Sequence, residues 1–345
     1  MDPALHGVNL SGWLVPEPWV TPELFAGTGA GDDGELFAAL GREAYEARVL
    51  PHRRTFVTEE DFAAMEARGF DAVRIQVPWY LFSEGGEEPP GCAEDLERAL
   101  GWAAAHGISA VVDLASLPGC SHTPDGLSLV VEDSPDLRRL ALEVVGTVAE
   151  RWGGRTALLG IEPLDRILLR RLSGFPPRWT AGSDASFLLN YYREAHDVVR
   201  EIAGAQPTLV LAASGRLDAW RGFMGHARYE NVWLDVHLYH HTDELPGVGP
   251  TGGRYLASLS RRTLERARAS RLPVMVGEWS AAMPMGGSTL TPEGQLALTR
   301  VYVSAQIDAF EGAPAWFFRT WKTSWRDPFW DARVALSSFD RDMLS

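Results

Sequence analysis

The chain has 345 residues, of which 46% are hydrophobic and 23% charged, with a formal net charge of −14. That length suits one large barrel domain, and the composition is ordinary for a soluble globular protein. The negative balance argues against nucleic acid or an anionic membrane as a partner.

The opening residues, MDPALHGVNLSGWLV, show neither a cationic n-region nor an apolar leader core, and the first strand is expected at Gly7–Trp13. Further short apolar, β-rich runs follow at Ala72–Val77, Ala110–Leu114, Ala157–Leu164, Thr208–Ala212, Val232–Leu238, Pro273–Trp279 and Ala315–Trp321. Amphipathic stretches lie between them. One begins at Thr58, where TEEDFAAMEARGF combines a Thr cap, an acidic first turn and apolar Phe62, Met65 and Phe70. Asp95–His106 stops at Gly107, and Asp136–Arg151, Ala185–Ile202, Tyr255–Arg268 and Pro292–Glu311 complete the clear set. The Gly-rich stretch GTGAGDDG at 27–34 has no strand before it and no helix immediately after it, so it reads as a loop and not a phosphate cradle. The tail from Arg326 to Ser345 is expected to pack across one end of the domain.

Strand–helix alternation without a composition break predicts a single α/β domain spanning residues 1–345, a (β/α)8 TIM barrel. An open doubly wound sheet is the alternative. No apolar run reaches the roughly 18 residues of a spanning helix. The pair Cys92 and Cys120 is too few for a disulfide framework, so a reduced, cytoplasmic protein is expected. Such a protein meets small soluble glycosides, nucleotides or biosynthetic intermediates. Thirteen Trp is a high count, equally suited to core packing and to stacking on sugar rings.

Chemistry in such barrels sits where strands end. Those ends present Glu17 and Trp19 after strand 1, Arg74 on strand 2, Asp113 on strand 3, and Asp165 and Arg166 on strand 4. They also present His237 and Tyr239 on strand 6, Glu278 on strand 7, and Arg319 and Trp321 on strand 8. Trp13, Trp79 and Trp279 lie near strand ends as well, whereas Trp102 and Trp152 read as helix packing. His237, His240 and His241 suggest no metal site, since no second ligand cluster accompanies them. Cys120 has no base beside it and reads as inert. No cofactor is expected.

The ordered set GVNLSGWLVPEPW, VTEEDF, VRIQV, DLASLPG, GIEPLDR, DVHLYHH, VGEWS and WFFRTWKTSW resembles glycoside hydrolase family 5, in its exo-1,3-glucanase branch. Each motif alone is weak, but all eight occur in order over nearly the full length. The resemblance implies a retaining mechanism in which two carboxylates roughly 5 Å apart act as nucleophile and acid/base. By that resemblance Glu278 matches the nucleophile, and Arg74, His237 and Tyr239 match residues that orient it and contact substrate. Glu17 matches a residue gripping a sugar hydroxyl.

The departures fall on the same constellation. The family's Asn-Glu-Pro reads Asp165-Arg166-Ile167, its His-Gly reads Ala115-Ser116, and the Trp that stacks under the sugar reads Arg319. An Arg, with a pKa above about 12, is no general acid. Three functions therefore stay open. The first is a repurposed enzyme that uses Glu278, with Asp165 as a second base, on a small and anionic sugar-like intermediate held by Arg166 and Arg319. The second is a silent sugar- or partner-binding pseudoglycosidase. The third is an ordinary β-glucosidase or exo-1,3-glucanase with a relocated acid.

Overall fold

The structure, a computed structural model, describes residues 4–119, 121–122, 129–132, 134–165, 167–170, 186–213, 217–247, 249–285 and 290–339. Eight parallel strands close into a barrel in consecutive order. They are β1 Leu5–Asn9, β2 Ala72–Val77, β3 Ser109–Leu114, β4 Leu158–Glu162, β5 Thr208–Ala212, β6 Val232–Leu238, β7 Val274–Trp279 and β8 Ala315–Phe318. The predicted bounds coincide at β2, β5 and β6, while β1, β4 and β8 end earlier than their apolar runs suggest. The open-sheet alternative fails because β1 pairs with both β2 and β8.

Helices Glu59–Ala67, Ala93–Ala105, Pro135–Trp152, Ser186–Ala203, Pro250–Ala267 and Pro292–Ala309 surround the barrel. Thr58 and Asp61 form the capping box expected from the acidic first turn, Thr58 N–H donating to Asp61 Oδ2 at 2.9 Å. Three features escaped the periodicity. A helix follows the Gly-rich loop directly, at Asp33–Thr55, capped by Asp32 and kinked at Gly41. Its polar composition hid it, because its stability comes from a few anchors. One is Tyr45, whose hydroxyl donates to buried Asp33 at 2.6 Å. Second, Ser121–His122, Leu129–Glu132 and Ile167–Arg170 form a small separate sheet in the loops after β3 and β4. Third, the C-terminal tail carries a short helix, Ala332–Ala335. Among the described residues no helix is long and apolar enough to cross a membrane.

Two apolar layers flank the strands. Outward residues such as Val73, Ile75, Val112, Val274 and Val276 join the helices in the main core. Inward Ala72, Val111, Val210, Met275, Ala315 and Phe317 form a compact plug in the lower barrel. Because side chains alternate along a strand, the inward positions one step further up are Arg74 above Ala72 and Asp113 above Val111. The apolar plug thus becomes a charged layer at the C-terminal mouth.

Candidate active site

The charged layer is organised around Arg74, whose guanidinium is fully buried. Its Nε donates to Glu162 at 2.8 Å, Nη1 to Glu278 at 2.9 Å and to Asn9 at 3.0 Å, and Nη2 to Asp165 at 2.9 Å. Asp113 Oδ2 lies 3.1 Å from Nη2. Strand register explains the convergence, since Asn9 is opposite Arg74 and Asp113 is opposite Glu162.

Glu278 reaches this layer through an irregularity. Val274 and Val276 face outward and Met275 inward, so strict alternation would turn Glu278 away from the lumen. The pairing of β7 with β6 shifts register between Val276 and Glu278, and a bulge there turns the carboxylate inward, opposite His237. Gly277 makes the bulge possible. A Cβ at that position would collide with the Asp235 carboxylate, which instead accepts the Gly277 N–H. Asp235 also holds His237 Nε2 at 2.9 Å.

Four groups surround Glu278. Arg74 occupies Oε1, while Oε2 accepts from Tyr239 Oη at 2.7 Å and from Arg319 Nη1 at 2.8 Å. His237 Nδ1 stands 3.2 Å from Oε2 without hydrogen-bond geometry. Burial pushes the Glu278 pKa up, but Arg319, His237, Arg74 and the Tyr239 hydroxyl outweigh it and hold the carboxyl well below its ordinary range. Its neighbours compensate. Burial pushes Glu162 up to about 8 against the pull of Arg74, and raises Asp113 well above the usual carboxylate range. Burial lowers the His237 pKa, but Glu278 and Asp235 raise it above the ordinary value. Burial and mutual repulsion thus raise the deeper acids Glu162 and Asp113, while the surrounding cations depress Glu278.

Arg319 forms a bridge between two carboxylates. Its second amino group donates to Glu17 Oε2, and its guanidinium lies 5.3 Å from the centre of the Trp19 ring. Glu17 is fixed further by the Gly12 N–H at 3.1 Å and the Trp19 indole N–H at 2.8 Å. Glu17, Trp19, Arg74, Asp165, His237, Tyr239, Glu278 and Arg319 are therefore one cluster, as the strand-end positions suggested. Arg166 and Cys120 lie outside the described residues.

Trp321 is a correction. It faces away from the lumen, donating its indole N–H to Asp61 at 2.8 Å and packing against Phe70. Trp13 and Trp279 are likewise outer-core residues, the first bonded to the Arg53 carbonyl at 2.8 Å and the second packed on Phe310 and Trp316. Trp79 instead borders a cavity of about 220 Å³ shared with Asp33, Phe37 and Ser116. Trp102 and Trp152 pack against Phe62 and Phe82, as helix residues should. Trp330 joins the cluster without a strand-end position to signal it. Its ring lies 5.4 Å from both Trp19 and Tyr239, and only its position in a polar and aromatic tail hinted at it.

Glu162, Asp165 and His237 bring possible metal-ligand atoms within 4.8 Å of one another. Arg74 already sits on both carboxylates at 2.8 and 2.9 Å, so a divalent cation there would compete with a fixed positive charge. His240 is bound to Asp243 at 2.6 Å and to buried Ser260 at 2.7 Å, away from this group.

Carboxylates gathered on one arginine at the C-terminal mouth of a closed barrel define a protein of the barrel glycosidase class. The chain's relatives narrow the class. A probable glucan 1,3-beta-glucosidase A of Emericella nidulans is 30% identical over 384 residues, spanning 97% of this chain and 89% of that protein. Its counterpart in Aspergillus fumigatus is 30% identical over 377 residues, spanning 97% and 86%. The chain belongs to glycoside hydrolase family 5, in its exo-1,3-glucanase-like branch. Among solved structures, a rutinosidase from Aspergillus niger superposes with a TM-score of 0.77 at 18% identity, covering 97% of each chain. A family 5 enzyme from Prevotella bryantii B14 superposes at 0.64 with 16% identity, over 99% of this chain and 96% of that one. No family model matches the chain.

Proposed function

We propose that this family 5 barrel acts on a small, anionic sugar-like substrate at Glu278, by chemistry that dispenses with the proton-donating glutamate of its relatives. The observation that carries the reading is Glu278 itself, held ionised by Arg74, Tyr239 and Arg319 inside a fully buried charged layer. Buried charge of this kind stabilises a fold no better than apolar packing of the same volume, which favours a functional role for the layer over a purely structural one. The position after Asp165 is Arg166, which donates no proton at neutral pH. A glycosyl phosphate or carboxylate needs none. Glu278 attacks the anomeric carbon, the leaving group departs as an anion with the bonding pair, and water then releases the sugar while Asp165 accepts its proton. Arg319 and Arg166 supply the positive charge that such a leaving group favours. A small soluble glycoside of the cytoplasm fits this chemistry better than polymeric glucan.

One observation favours a second reading. Arg319 spans Glu278 and Glu17, occupying the carboxylates that would attack and grip a sugar. A pseudoglycosidase that binds sugar without cleaving it would look this way.

Hydrolysis of an aryl β-glucoside with a good leaving group separates the readings, tested with wild type, Glu278→Gln, Arg166→Glu and the double variant. Turnover that vanishes in Glu278→Gln supports an acid-independent nucleophile. A gain on Arg166→Glu that requires Glu278 supports loss of the acid at that position. Turnover in wild type that survives Glu278→Gln sinks the proposal, and silence in wild type and every variant favours the binding protein.

A further inference from the structure

Trp330 and Trp19 are the half-buried indoles in ring contact at the Glu278 cluster. Trp13, Trp279 and Trp321 are sealed in the outer core, whereas Trp330 is half-buried at the barrel mouth. Its position is built from the backbone outward. The Phe329 and Trp330 N–H groups donate to Asp327 Oδ1 at 2.7 and 3.0 Å. The Trp330 carbonyl accepts from Thr320 N–H at 2.6 Å, one residue past Arg319, and the Phe329 carbonyl accepts from Ala281 N–H at 3.0 Å, three residues past Glu278. The tail turn is therefore stitched to the segments that follow β7 and β8, next to Glu278 and Arg319.

The ring links the two arms of that site. On one side it lies 5.4 Å from Tyr239, tilted by 36°, and Tyr239 donates to Glu278 at 2.7 Å. On the other it meets Trp19 edge-on at 5.4 Å, and Trp19 donates to Glu17 at 2.8 Å. A part-exposed indole one side chain removed from the Glu278 and Glu17 carboxylates matches the two characters of a pyranose, an apolar C–H face and a rim of hydroxyls.

We propose that Trp330 is the sugar-stacking platform of this protein and sets its specificity for a hexopyranosyl ring. The proposal rests on the reading of the Glu278 cluster as a sugar pocket. Binding of methyl 1-thio-β-D-glucopyranoside, which resists hydrolysis and carries no aromatic aglycone, tests it by calorimetry. Wild type, Trp330→Ala, Trp330→Phe and the remote control Trp102→Phe are compared, each with its melting temperature. Weakening by about tenfold or more in Trp330→Ala, with Trp330→Phe and Trp102→Phe within about threefold of wild type, is the expected result. Wild-type binding that Trp330→Ala leaves unchanged overturns the platform while sparing the sugar pocket. Equal loss in Trp330→Ala and Trp330→Phe, with both melting lower, makes Trp330 structural and overturns it too. No binding by wild type overturns the sugar-pocket reading and the platform with it.

Discussion

Arg319 Nη1 and Glu278 Oε2 are joined at 2.8 Å with the two side chains only 3% and 0% exposed. The same guanidinium holds Glu17, so one cation is shared by two buried carboxylates. Removing one member of such a group leaves the others uncompensated. Arg319→Met is expected to lose about 3–5 kcal/mol in urea unfolding, and adding Glu17→Gln should recover part of it, with a coupling of about 1–3 kcal/mol. Strictly additive losses would show that the bridge does not couple these residues.

Glu162 makes stability fall with rising pH. Its folded pKa is raised from the ordinary 4.5 to about 8, so within that window the folded chain keeps a proton that the unfolded chain has released. Stability therefore declines as pH climbs from 4.5 to 8, and the raised pKa of His237 acts in the same direction above its ordinary 6.5. Glu162→Gln still accepts the Arg74 bond through its amide oxygen but removes this titration. Its melting temperature relative to wild type should rise between pH 5 and pH 8.5. Parallel melting curves for the two proteins would refute the assignment.

Glycine positions 277 and 101 should respond in opposite senses. A Cβ on Gly277 has no space beside Asp235, whereas Gly101 lies inside the helix Ala93–Ala105 with nothing within 4 Å of a Cβ. Gly277→Ala is expected to cost about 3 kcal/mol or more and to disturb Glu278, while Gly101→Ala should gain about 0.5–1 kcal/mol. Denaturant midpoints measure both, and a neutral Gly277→Ala would remove the reason given for the bulge.

Trp321 is an outer-core residue whose indole N–H serves Asp61, which also binds Lys322 at 2.6 Å. Trp321→Phe should therefore cost about 1–3 kcal/mol of stability and leave sugar binding as in wild type. Altered sugar affinity without a stability loss would return Trp321 to the pocket.

Much of this protein is local information. The barrel follows from short β-rich runs alternating with amphipathic stretches, because a strand and a helix each betray themselves by their own period within a few residues. Arg74 and Asp113 were legible for the same reason, being continuations of an alternation begun by Ala72 and Val111. The family resemblance placed Glu278, Tyr239 and Glu17 in one pocket, and the structure brings them within one chain of hydrogen bonds. What required the tertiary structure was direction and partner. Alternation alone turns Glu278 outward, and only the bulge at Gly277, made by its fit against Asp235 on the next strand, turns it in. Trp321 and Trp279 look like pocket residues by position, but a period of two separates the faces of a strand without saying which is the lumen. The sequence presents Arg319 as a ligand for an anionic substrate and Trp330 as part of a tail. Closure of the barrel brings Glu17, Trp19, Tyr239 and Glu278 to them from opposite ends of the chain, and contacts across such separations leave no local pattern to read.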